Sequence, residues 1–74
     1  MKPLYHVATE DSKGQHLDIE VIAGLNEVSK YIERTKWADQ FRVMEDKTFL
    51  FKIGTALLYK RMPNGTFDIK KVEI

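Results

Sequence analysis

The chain has no cysteine, so no disulfide can staple it and no thiolate can serve as nucleophile or metal ligand. Its net charge is only +1, a balance that by itself favours no class of partner. No apolar run approaches the roughly 20 residues that a membrane-spanning helix needs. Glycine is scarce, four residues scattered singly, so no glycine-rich loop can cradle a phosphate. Neither Ser12 nor Ser29 sits in a Gly-x-Ser-x-Gly elbow. The opening Met1-Lys2-Pro3-Leu4-Tyr5-His6 lacks the apolar segment of a secretory signal. These absences lead to the expectation of a cytoplasmic, non-catalytic chain without cofactor or metal.

What is present suits a single small α+β domain over residues 1–74, with 43% hydrophobic and 31% charged residues. A chain of this size holds a margin of only about 4–11 kcal/mol. It has no cysteine with which to add a staple, so pairing with another chain is the available support. Charge is uneven along the sequence. Lys2 and Lys13 stand against Glu10, Asp11, Asp18, Glu20 and Glu27 in the first part, and basic residues outnumber acidic ones after Ser29.

Alternation is the main local signal. Leu17, Ile19, Val21 and Ala23 alternate against Asp18 and Glu20, and Phe49, Phe51, Ile53, Leu57 and Tyr59 all fall on odd positions, which is the period of strands with one buried face. A three-residue loop, Ser12-Lys13-Gly14, predicts a hairpin that pairs Tyr5 with Val21, Val7 with Ile19 and Thr9 with Leu17. Pro63-Asn64-Gly65 predicts a second, with Gly65 in the left-handed position of a bulged loop. It sets Tyr59 opposite Ile69 and Lys60 opposite Asp68, the latter as an ion pair. Residues 24–36 read as the helix, with Leu25, Val28, Ile32 and Thr35 on one stripe and Tyr31 widening it; Trp37 is expected over the sheet edge. A loop of Glu45-Asp46-Lys47 is expected to place Phe41 opposite Phe51 and Val43 opposite Phe49. Gly54 is read as a bend and Lys70-Lys71 as a bulge.

The resulting order is β-β-α-β-β-β, one helix packed on a curved, mostly antiparallel sheet. The predicted core is Tyr5, Val7, Leu17, Ile19, Val21, Leu25, Val28, Ile32, Phe41, Val43, Phe49, Phe51, Ile53, Leu57, Tyr59, Phe67 and Ile69.

The chemistry-bearing residues form no reactive set. His6 is expected to face Glu20, and His16 to face Glu10, too far apart to share a metal. Glu10-Asp11 and Glu45-Asp46 fall in predicted exposed turns, where a carboxylate makes a poor general acid. The sheet face away from the helix is more informative. Arg42, Met44, Leu50, Lys52, Leu58, Lys60, Met62 and Lys70 share even parity and converge there, a mixture of apolar and cationic side chains that suits protein contact. The partner expected is a protein, either a second copy or a larger intracellular target, and the role that of an accessory, regulatory or inhibitory module. The alternative is a nucleic-acid-binding regulator using Arg42, Lys52, Lys60 and Lys70. The aromatic residues that stack on bases are expected on the opposite face.

Overall fold

The computed structural model describes residues 2–45 and 55–73. Two strands, β1 (Leu4–Glu10) and β2 (His16–Ala23), precede one helix, α1 (Leu25–Arg34). Three strands follow, β3 (Gln40–Glu45), β4 (Thr55–Arg61) and β5 (Phe67–Glu73). The strands make one five-stranded sheet in the order β2-β1-β3-β4-β5, antiparallel at every junction, so the fold is α+β. Because β2 and β3 flank β1 on either side, the helix carries the chain across β1 and lies over one face of the sheet.

The helix starts after Gly24, whose C=O accepts from Val28 N–H at 3.2 Å. Gly24 N–H donates to Pro3 O at 2.9 Å, tying the helix start to the beginning of β1. Val28, Tyr31 and Ile32 point inward and pack with Val7, Ala38, Phe41 and Val43. Tyr5, Ile22, Tyr59 and Phe67 close the cluster at its margin. The buried polar tip of Tyr31 shares a hydrogen bond with Thr9 Oγ1 at 3.1 Å, which removes the penalty of an unpaired hydroxyl. Full burial of each large aliphatic side chain here stabilises by roughly 1.5–3 kcal/mol.

The helix ends at Thr35, whose hydroxyl donates to Tyr31 O at 2.6 Å. Arg61, on β4, reaches back to this terminus. Its Nη2 donates to Thr35 O at 3.2 Å and its Nε to Ala38 O at 3.1 Å. A guanidinium placed at the negative end of a helix satisfies carbonyls that have no partner within the helix. It also lies 4.8 Å from the centre of the Phe67 ring. Arg61→Ala is expected to cost about 1–2 kcal/mol, read as a lowered urea midpoint. An unchanged midpoint would show the clamp to be incidental.

Both predicted hairpin loops form. Gly14 and Gly65 have φ of 84° and 89°, a region costly for residues with a Cβ. The Pro63-Asn64-Gly65 loop gives Tyr59↔Ile69 and Lys60↔Asp68 as expected. The β4–β5 register then runs unbroken to Thr55↔Glu73, so the expected bulge at Lys70-Lys71 is absent. Val72 lies instead opposite Ala56 on the face away from the helix.

The first hairpin departs from expectation. Asp11 and Gln15 flank the three-residue loop, and Glu10 pairs with His16. The register then shifts by one, so that Thr9 pairs with Asp18 and Leu17 has no opposite residue. One inserted residue exchanges the faces of everything beyond it. Tyr5 therefore pairs with Ile22, His6 with Val21, Val7 with Glu20 and Ala8 with Ile19. Leu17, Ile19 and Val21 leave the predicted core and are 51%, 58% and 56% exposed. His6 faces Val21 rather than Glu20.

The third correction concerns β3. Phe41 pairs with Tyr59 and Val43 with Leu57, not with Phe51 and Phe49. Both arrangements keep odd residues opposite odd, so parity cannot choose between them; a preference for a short loop misdirected the expectation. Phe49, Phe51, Ile53 and the Gly54 bend lie outside the described residues. Leu25, Leu57 and Ile69, also expected inside, are exposed, and so is Trp37.

Candidate functional site

The face of the sheet opposite α1 is organised in rows across the strands. The first row runs His16, Glu10, Gln40, Lys60, Asp68, and the second Ile19, Ala8, Arg42, Leu58, Lys70. Beyond these lie Val21, His6 and Met44, and the Ala56–Val72 pair. One end of the face is thus polar, and it becomes apolar toward the other.

The polar end is built on Glu10. Its side chain is fully buried, although it points away from the helix. Gln40, directly across on β3, donates from Nε2 to Oε1 at 2.8 Å. Arg42 donates from Nε to Oε2 at 2.9 Å and from Nη2 to Oε1 at 3.4 Å. Ala8, small and opposite Arg42, leaves room for that reach. His16 Nε2 lies 2.8 Å from Oε2. The loop before β2 folds over the carboxylate, because a Cβ at Gly14 would stand 4.0 Å from both Glu10 Oε1 and Gln40 Nε2. Burial by itself would push the Glu10 carboxyl up. The hydrogen bonds from Arg42 and Gln40, with attraction to Arg42 and His16, outweigh it and hold the group below its ordinary value. The same bond holds the Arg42 guanidinium above its ordinary value.

Glu10 was expected in an exposed turn, so its position is a correction. The turn begins one residue later, with Asp11 Oδ1 accepting from Lys13 and Gln15 N–H at 2.9 Å each. Glu10 itself is the last residue of a strand flanked on both sides. No sequence signal separates these neighbouring acids. Among the described residues there is no group of three or more His, Asp or Glu able to hold a metal ion, and every buried side-chain nitrogen or oxygen has a partner.

The expected interaction residues fall as follows. Arg42, Met44, Leu58, Lys60 and Lys70 share this face. Met44 and Leu58 are half-buried, and Lys60 and Lys70 exposed. Met62 stands at the mouth of the β4–β5 turn, where its N–H donates to Thr66 O. Leu50 and Lys52 lie outside the described residues. Ile19 and Val21, assigned to the core by the sequence reading, are the most exposed apolar side chains on the face. Alternation marks them as one apolar side of a strand but does not say which layer that side meets.

Two of the three described cations of the expected row have an acid beside them. Arg42 is bound to Glu10, and Lys70 Nζ lies 3.6 Å from Asp68 Oδ2. Among the described residues no helix is long and apolar enough to cross a membrane. Comparison with protein-family models, curated proteins and solved structures gives no match for this chain.

Proposed function

We propose that the chain is a non-catalytic protein-interaction module of the cytoplasm, acting through the apolar end of the sheet face opposite α1. The single observation that carries this reading is the exposure of Ile19 and Val21, more than half of each side chain, on a face with no helix over it among the described residues. Half-buried Met44 and Leu58 lie farther across the same face, beyond His6, the buried Ala8 and Arg42. Exposed apolar side chains with a few charged residues beside them are the composition of a contact site. Arg42 and Lys70 supply the charged border, and Glu10 holds Arg42 in place. The nucleic-acid reading is weaker, because two of its cations already carry carboxylate partners.

The test uses the purified chain as bait in extract of its source cell. Ile19→Asp is expected to abolish capture of a partner that wild type retains. Leu25→Asp, at an equally exposed position on the helix, is expected to leave capture intact. If both variants capture the same proteins as wild type, or wild type captures none, the reading falls.

A further inference from the structure

We propose that two copies of the chain join edge to edge through β5, antiparallel, about a two-fold axis at Ile69. This inference concerns the edge of the sheet and does not rest on the outer-face reading, although Lys70 belongs to both. Among the described residues β5 is a terminal strand of the sheet, and Ile69 on it is 53% exposed. Unpaired edges of this kind are templates for strand addition.

Charge selects the register. A two-fold axis perpendicular to the sheet keeps both helices on one side, so residues facing each other across the seam share parity. Centring on Asp68 opposes two aspartates, and centring on Lys70 or Lys71 opposes two lysines. Centring on Ile69 sets Asp68 of each copy against Lys70 of the other. It also sets Ile69 against Ile69 and Phe67 against Lys71. Asp68 and Lys70 already sit side by side, 3.6 Å apart and both substantially exposed, so two copies would form an alternating four-charge cluster.

The backbone agrees. Met62 N–H donates to Thr66 O at 2.8 Å, which sets the alternation along the hairpin. Asp68, Lys70 and Val72 then exchange bonds with β4, while the N–H and C=O of Phe67, Ile69 and Lys71 point to the free edge. The Ile69-centred register brings these outward groups opposite one another. A lone edge lysine blocks strand pairing; a lysine two residues from an aspartate, read against its own copy, becomes complementary. The other edge, β2, offers no such match, since it carries Asp18 and Glu20 and neither lysine nor arginine.

Sedimentation equilibrium on the full chain tests this. Wild type is expected at twice 8.6 kDa. Lys70→Glu and Asp68→Lys, each made alone, oppose like charges at both seam positions and are expected to weaken association by about tenfold or more. An equimolar mixture of the two single variants restores the dimer, because each introduced charge then meets its opposite. Misfolding of either variant cannot produce that rescue. A wild type that stays at 8.6 kDa at its highest soluble concentration overturns the proposal. So do single variants that associate as wild type does, or a mixture that stays monomeric.

Discussion

Phe41→Ala is expected to remove about 3–5 kcal/mol of stability, the largest loss foreseen for any single substitution described here. Phe41 is fully buried in the middle strand of the sheet, between Thr9 of β1 and Tyr59 of β4. Its ring meets Tyr31 and Phe67 edge-on, with centroids 6.1 Å away in both cases. Truncation therefore forfeits the transfer energy of the ring, two aromatic contacts worth about 0.5–1.5 kcal/mol each, and packing under the helix. Against a total margin of about 4–11 kcal/mol, the variant is expected to be largely unfolded or to melt at low urea. Urea titration followed by tyrosine fluorescence and far-ultraviolet dichroism measures it. A loss below about 1 kcal/mol would mean that the core is not centred on this ring.

The second large effect is expected at Glu10. Glu10→Ala leaves Gln40 and Arg42 facing an empty buried site. Removing one partner of a buried pair costs about 3–5 kcal/mol. Arg42 keeps a quarter of its side chain exposed and can turn partly to water, so about 2–4 kcal/mol is expected here. Glu10→Gln keeps the shape and loses the charge, and should cost less. The carboxyl is held below its ordinary value when folded, so the sign of the pH dependence follows. Its contribution is fully present above the unfolded carboxylate value, about 4.3, and is lost as pH falls through the lower folded value. Wild type should therefore lose stability on acidification more steeply than Glu10→Gln. Parallel stability profiles for the two proteins between about pH 6 and pH 3 would refute the network's role.

Much of the local structure was legible. Alternation located the strands of the first hairpin, and Gly14 and Gly65 marked turns that form where expected. The stripe of Val28, Tyr31 and Ile32 found the buried side of the helix. Pairing was less legible, for two separate reasons. In β3–β4, two registers eight residues apart satisfy parity equally, and only long-range packing of Phe41 against Phe67 and Tyr31 distinguishes them. In β1–β2, the single unpaired residue at Leu17 turned an apolar row from the helix side to the open side. The contact face was thus half visible from sequence. Arg42, Met44 and Leu58 were placed on it by parity, whereas Ile19 and Val21 were hidden by a bulge that no local motif announces.

Among the described residues, the buried hydrophobic side chains other than Ala56 come from the segment ending at β3. That interior is closed by the pairing of β1 with β3, where Val7 meets Val43 and Thr9 meets Phe41, so its contacts are distant in sequence and the intervening helix must be in place before they form. The last hairpin adds Tyr59 and Phe67 at the margin of this cluster, with its outer strand at the rim of the sheet. Its rim can then diverge by substitution, changing who the molecule associates with, while the part that makes it fold is left alone.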